Sequence, residues 1–297
     1  MASLTESGES SDRMKNDPPA VPVSVCIVAH NEEMNIARAI ESVAGWARQV
    51  IVLDCESRDR TGAIARASGV IVHDAPNLVP EANKNRAFEY ATEPWIFILD
   101  ADEIMSEPLK REVARVIASE PAESGFKIPR RNFYFGVPLM HGGNYPDRQL
   151  RLFRRGRGRY PGVGYHESLR IEGSIGSLAE PFDHHPYPTF EIWLSEFDRY
   201  TRFGAASLAE RRMPIVASTI RKQMITRPLR RWLERLFLKQ GIRDGVPGVL
   251  AATFDLMTNV VSFGRYWMEE RRVGEVARGR GGDDPHEGNA PHEGNAP

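Results

Sequence analysis

The sequence predicts an α/β protein built on a mainly parallel sheet covered on both faces. Three observations predict it. Short apolar runs alternate with segments of helical spacing through residues 23–131. The runs are continuously apolar, as strands buried on both faces are. Three of them end in polar or acidic residues, and ligands of an open α/β sheet gather at the carboxyl ends of its strands.

The elements follow in order. Residues 1–21 are rich in Ser, Glu, Asp and Pro, bury nothing, and are expected to be disordered. Val23–Ala29 is β-branched and reads as the first strand. Glu32–Ala44 carries Ile36, Ile40 and Val43 at helical spacing. Val50–Leu53 is the second strand; Asp59–Ala67 is a helix opened by an acidic cap and ended by Gly69. Val70–Val72 is a third strand, Glu81–Ala91 a helix, Trp95–Leu99 a fourth strand, Glu107–Ala118 a helix and Gly125–Pro129 a fifth strand. Residues 132–190 turn to Gly, Pro, Tyr, Arg and His, a loop-rich stretch with short strands at Gln149–Phe153 and Ser168–Glu172. Residues 191–275 read as mainly helical. Residues 276–297 end in HEGNAP twice over and read as a flexible linker rather than a metal-binding tail.

Composition excludes several classes. The chain has 297 residues, 41% hydrophobic and 27% charged, enough to bury a core. Its formal net charge of −1 and lack of a recognisable module argue against a nucleic-acid binder. Cys26 and Cys55 cannot make a disulfide scaffold, and a reducing compartment is expected. Neither a signal peptide nor an apolar run long enough for a transmembrane helix is expected.

The strand ends carry the chemistry. Ala29, His30, Asn31 and Glu32 follow the first strand, Asp54 the second, and Asp100, Ala101 and Asp102 the fourth. Asp100 and Asp102 can place two carboxylates about one ion, and hard oxygen ligands suit Mg²⁺ or Mn²⁺. The alternative is an acidic capping turn before Ser106. Direct attachment to a buried strand, with Asp54 on the same edge, favours the ion. Asp54 can accept from a nucleobase or ribose, or bond only its own backbone amides. Asp59 reads as a cap. Among Asn83, Lys84, Asn85 and Arg86, Lys84 or Arg86 can neutralise a diphosphate, or lie on a solvated helix face.

With these residues quoted, a resemblance emerges. VSVCIVAHNEE (23–33), VIVLDCESRDRT (50–61), ANKNRA (82–87) and IFILDADE (96–103) resemble family 2 glycosyltransferases of the GT-A fold. YPDRQLRLFRR (145–155), Tyr165-His166-Glu167, Asp183-His184-His185 and Arg243-Asp244-Gly245 resemble the subgroup containing lipopolysaccharide core β-1,4-glucosyltransferases. Cys55-Glu56 departs from the small polar residues more usual there.

The resemblance implies a GT-A domain over 22–190, with a nucleotide-binding half (22–131) and an acceptor-side half (132–190), followed by a helical extension over 191–275. It implies a UDP-sugar donor, a cell-envelope glycan acceptor, and inversion by direct displacement. Ala29–Glu32 and Asp54 would hold the nucleoside. Asp100 would lie near ribose and metal, and Asp102 would coordinate the Mg²⁺ or Mn²⁺. The acceptor hydroxyl needs one general base, for which Glu167, oriented by His166, is preferred over Asp147. Asp147 reads equally as a salt-bridge anchor. Arg148, Gln149 and Arg151 can bind an anionic group or make structural ion pairs; His184 and His185 can ligate metal but read first as structural.

Residues 211–243 hold ten basic side chains against Glu234, interleaved with Ile, Leu, Trp and Phe. Such a helix reads as binding an anionic membrane surface, which would make the protein cytoplasmic and peripheral on the inner membrane. Two rivals remain: a non-catalytic sugar-nucleotide-binding subunit, and a haloacid-dehalogenase-type phosphatase, whose first motif Leu99–Asp102 imitates but on the wrong strand. No GxGxxG follows the first strand, which disfavours a dinucleotide oxidoreductase.

Overall fold

The computed structural model describes residues 20–161 and 168–279. His166 and Glu167 lie outside the described residues. The elements of the first half stand where the sequence places them: β1 (Val21–Ala29), α1 (Ile36–Glu41), β2 (Ala47–Cys55), α2 (Thr61–Ala67), β3 (Ile71–Ala75), α3 (Pro80–Glu89) and β4 (Trp95–Asp100). Then come β5 (Glu103–Ile104), α4 (Glu107–Ala118), β6 (Gly125–Tyr134), β7 (Val137–Pro138), β8 (Asp147–Arg154), β9 (Gly158–Arg159), β10 (Arg170–Ile171), β11 (Ile175–Ser177) and β12 (Phe182–Tyr187).

The main sheet runs β3-β2-β1-β4-β8-β6-β12-β5, with β7 and β11 also paired to β6. Its first four strands are parallel. The fifth predicted strand does not extend that run. β6 is longer than Gly125–Pro129, and β8 lies between it and β4, antiparallel to both. A strand entered from a loop instead of a crossover helix can pair this way. The sheet is therefore mixed beyond β4.

Register sets the functional edge. Val28 pairs with Leu53 on one side and Asp100 on the other, and Ala29 pairs with Asp54. The ends of β1, β2 and β4 are level. One core layer packs Val25, Ile27, Phe97 and Leu99 against α1 and α4. The other packs Cys26, Ile51, Ile96 and Ile98 against Ala87 of α3. α4 shows why such a helix forms. Ser106 Oγ accepts from the Leu109 N–H at 3.3 Å, Pro108 sits in the first turn, and Leu109, Val113 and Ile117 bury one stripe. Fully burying side chains of that size stabilises by about 1.5–3 kcal/mol each.

The extension begins with α5 (Phe190–Glu210), which Thr189 caps, and α6 (Ala217–Arg221). α7 (Arg227–Leu233) lies between π-helical turns at Lys222–Thr226 and Glu234–Leu238. A 3-10 turn (Gly241–Asp244) leads into α8 (Gly245–Gly279), which runs past the boundary expected at 276. α8 lies against α5: a Cβ on Gly204 would sit 2.2 Å from Ser262 Oγ, so only glycine allows this approach. Phe254 of α8 packs among Trp193, Phe197 and Tyr187.

No apolar run long enough for a transmembrane helix was expected, and one helix nonetheless meets the length and composition of a span. Within Gly241–Arg272 an 18-residue stretch has a mean hydropathy of 1.4, and the helix is long and apolar enough there to cross a membrane by composition alone. Looking for an unbroken apolar run misses it, because Thr253, Asp255 and Asn259 interrupt the run with one charge among them. Core helices of soluble proteins share this composition, and 33% of that stretch is buried against the rest of the chain.

Candidate active site

The β1–α1 turn is made at Asn31, whose φ of 56° lies in the left-handed region that Asn tolerates. The neighbouring β2–α2 turn holds it. The Asn31 N–H donates to Ser57 Oγ at 3.0 Å, the Glu32 N–H to Thr61 Oγ1 at 2.7 Å, and the Glu33 N–H to Asp59 Oδ2 at 3.0 Å. Asp59 thus caps α2 by accepting from the Thr61 N–H at 2.9 Å and also ties two turns together. His30 Nδ1 lies 2.6 Å from the Cys55 carbonyl oxygen, and its Nε2 faces Asn31 Nδ2. Ala29 and Ala101 have buried side chains, leaving only backbone to offer a ligand.

Asp54 is 7% exposed, and its Oδ1 accepts from the Ser57 N–H at 3.2 Å. Its other oxygen lies where a Cβ on Gly62 would stand, 2.2 Å away, so glycine lets the carboxylate seat on the first turn of α2. This is the local backbone bonding that an aspartate at such a turn adopts.

Asp100 and Asp102 have different partners. Asp100 Oδ1 receives Lys84 Nζ and Oδ2 receives Arg151 Nη2, each at 2.7 Å. Arg151 also binds Glu103, which is fully buried. Glu103 Oε2 in turn accepts from the Asp100 N–H at 2.9 Å. Burial opposes charge on Asp100, but Arg151 and Lys84 outweigh it and hold the carboxyl well below the usual range. Burial pushes the Glu103 carboxyl up, and Arg151 offsets only part of this. Asp102 Oδ2 faces His184 Nε2 at 3.2 Å, and His184 Nδ1 lies 2.7 Å from Asn132 Oδ1. Burial raises the Asp102 carboxyl less than His184 lowers it. His185 stacks on Phe133 with ring centres 4.5 Å apart, and its N–H donates to the Asp102 carbonyl.

Two cavities open at this edge. One, of about 470 Å³, is lined by Asn31, Glu32, Asp102, Asn132, His184 and Tyr187 among others. The second, of about 1160 Å³, includes Lys84, Asp100, Arg148, Gln149, Arg151 and Tyr160. Arg130, Arg199 and Tyr200 line both. The two aspartates thus open into adjoining chambers. Asp54 lines neither. Glu32, crowded against burial and the charges of Asp102, Asp100 and Asp59, is pushed up to about 7 although Asn35 donates to it.

Asp147 is tied on both oxygens. Arg130 donates to Oδ2 from Nε at 2.9 Å and from Nη2 at 2.6 Å, and Gln149 Nε2 donates to Oδ1 at 2.7 Å. Burial opposes ionisation there, but Arg130 prevails and the carboxyl lies below its usual range. This is the anchor geometry, with Arg130 instead of the adjacent Arg148 as partner. Arg148 donates to the Leu178 carbonyl oxygen at 3.0 Å. On α3, Asn83 is buried and Asn85 ties the helix to Tyr160 through two 2.9 Å bonds. Burial pushes Cys26 up to about 12 and Cys55 up to about 11, so both stay thiols and neither is a nucleophile.

The donor set partly fits a divalent ion. Asp102 and His184 put a carboxylate oxygen, the ligand type of both Mn²⁺ and Mg²⁺, beside an imidazole nitrogen, which the softer Mn²⁺ accepts more readily than Mg²⁺. Asp100 has both oxygens committed to cations. No cluster of three His, Cys, Asp or Glu side chains poised for a metal occurs among the described residues. An ion here would complete its shell from water and substrate oxygens.

The profile described as Glycosyl transferase family 2 matches residues 24–170. The lipopolysaccharide core biosynthesis glycosyltransferase LpsC of Rhizobium meliloti is 30% identical over 165 residues, 54% of this chain and 61% of that protein. An uncharacterized glycosyltransferase of Rickettsia typhi is 39% identical over 97 residues, 33% of each chain. The chain thus spans between a third and three fifths of these relatives. Among solved structures, the mannosyltransferase PcManGT of Pyrobaculum calidifontis overlays with a TM-score of 0.49 at 13% identity. That overlay covers 87% of this chain and 93% of the other, a likeness too slight to argue from.

Proposed function

Since residues 24–170 are a domain of glycosyl transferase family 2, we propose that the chain transfers a sugar, glucose by preference, from a UDP-sugar to a cell-envelope glycan of the lipopolysaccharide core type, with inversion. One observation carries the reading: Asn31 and Glu32 from the end of β1, Asp102 from the end of β4, and His184 from β12 meet on one cavity.

Asn31 and Glu32 contact the donor, with Asp54 behind them shaping the turn. Asp102 and His184 would hold the divalent cation, which would supply positive charge against that growing on the departing nucleoside diphosphate. Lys84 and Arg151 keep Asp100 ionised and fixed, so that it meets the ribose as an acceptor in one geometry. Arg130, fixed by Asp147, and Arg199, gripped by Glu196, offer cations where the two chambers join. Glu167 takes the proton of the acceptor hydroxyl, with His166 orienting it. The acceptor is lipid-linked, which places the protein peripherally on the cytoplasmic face of the membrane.

Asp102→Asn tests this reading. It is expected to abolish transfer and to remove the metal dependence of nucleotide binding, while the fold survives. Full activity in that variant would sink the assignment.

A further inference from the structure

We propose that the segment from Arg221 to Val246 docks the chain on an anionic lipid surface through an apolar ridge flanked by cations. Ile225, Leu229, Leu233, Phe237, Ile242 and Val246 are all exposed, Val246 at 71%. Leu238 beside them is 81% exposed. The first four recur every fourth residue. Such a repeat outruns an α-helix of 3.6 residues per turn by about 40° per step. The wider π turns at Lys222–Thr226 and Glu234–Leu238 draw it back. Three of these side chains stand in or beside those turns. The result is one stripe on the surface rather than a spiral.

The exposed side of the same segment is cationic. Arg221, Lys222, Arg227, Arg230, Lys239 and Arg243 are exposed. Arg221, Lys222, Arg227 and Arg230 make no ion pair among the described residues. Glu234, the one acid over 211–243, is bound by Lys239 at 3.0 Å. Arg231 and Arg235 point elsewhere: Arg231 pairs with Asp255 of α8, and Arg235 donates to Asn144 Oδ1 at 2.6 Å.

Apolar side chains framed by basic ones match the boundary between acyl chains and anionic headgroups. A second copy of the chain fits less well, because a symmetric contact along this ridge would set its cations against each other. Nucleic acid would engage the cations and leave the apolar row in water.

The ridge is fastened to the active cavity. Asn144, held by Arg235, lines the smaller chamber. The Gly142 N–H donates to the Lys239 carbonyl at 2.7 Å, and His141 Nδ1 meets Asp244 Oδ1 at 2.6 Å. Docking therefore holds the cavity at a fixed distance from the surface. That use rests on the proposed transfer to a lipid-linked acceptor; the docking itself does not.

The test is co-sedimentation of the full chain, without substrate, with vesicles of phosphatidylcholine alone or with about a quarter phosphatidylglycerol. Binding is expected only to the anionic vesicles, reversed by high salt and by alkaline carbonate. Arg227→Gln with Arg230→Gln should weaken partition by roughly 25-fold, at about fivefold per cation near the surface. Phe237→Ser with Leu238→Ser should weaken it as well, with an unchanged circular dichroism spectrum. Equal binding to neutral vesicles, resistance to carbonate, no binding, or unchanged partition in the arginine pair would each overturn the proposal. So would a dimer dispersed by the serine pair. Loss of vesicle binding with nucleotide binding intact would leave the transferase reading standing.

Discussion

Replacing Arg151 by Leu removes the cation that Asp100 and Glu103 share. Arg151 is 5% exposed and Glu103 is fully buried. Asp100 keeps Lys84 at 2.7 Å, so the orphaned charge is that of Glu103. Its remaining partners are Arg130 Nη1 at 3.8 Å and the Asp100 N–H at 2.9 Å. Breaking a buried pair from one side costs about 3–5 kcal/mol, and the surviving partners place this case near 3 kcal/mol. Glu103 has an escape, since its carboxyl already lies above the usual range through burial. Without Arg151 it rises further. A carboxyl raised in the folded state favours folding below its unfolded pKa and loses that contribution as pH climbs through the folded one. The variant should therefore be weakened more at pH 8 than at pH 5 (about neutral-minus-two). Urea unfolding followed by tryptophan fluorescence measures both. Adding Glu103→Gln, whose amide oxygen still accepts from the Asp100 N–H, should restore at least about half the loss. A deficit under about 1 kcal/mol, or one equal at the two pH values, would refute the reasoning.

Three further outcomes follow from the geometry. Glu32, raised from 4.5 to about 7, opposes folding once ionised. Glu32→Gln should therefore raise stability by at most about 3 kcal/mol above neutral pH and change it little near pH 4, read from melting curves across pH. Asp147→Asn loosens Arg130 and should lower stability by roughly 1–3 kcal/mol in denaturant titrations, without the kinetic signature of a lost base. Glu167→Gln should bind UDP-sugar as the parent does and transfer about 10²–10⁴-fold more slowly in single-turnover kinetics; an unchanged rate would return the role to Asp147.

The half of the chain up to β4 was legible because its signals are local. Trp95–Leu99 is apolar throughout and Val23–Ala29 is apolar but for Ser24, because helices cover both faces of the sheet, and the polar residues after them fall on one edge by register. What escaped depends on pairings distant in sequence. Asp100 reads alone as a metal ligand; its partners Lys84 and Arg151 come from α3 and β8. Asp147 sits beside Arg148 in sequence but binds Arg130 on the neighbouring strand. Arg130 and Asn132 had a signal. β6 runs parallel to β4, so the rule that sends ligands to carboxyl ends of strands applies to the fifth strand as well. Taken past Pro129, it delivers both residues to the cavity. Arg199 and Tyr200 had no such signal, since on α5 they are ordinary members of an amphipathic helix. In the extension, basic composition was visible at once, but which arginines face solvent was not. Arg231 and Arg235 are spent on Asp255 and Asn144, a division set by packing against α8 and the loop before β8.

If the chambers between β1, β4 and β12 hold a nucleoside-diphosphate sugar with a divalent cation at Asp102 and His184, calorimetric titration with UDP, GDP and UDP-glucose, each with and without Mn²⁺, will show it. UDP and UDP-glucose should bind tightly only with the metal, and both His184→Ala and Asp102→Asn should erase that dependence. A folded protein that binds none of the three, or binds UDP equally well without metal, would contradict it.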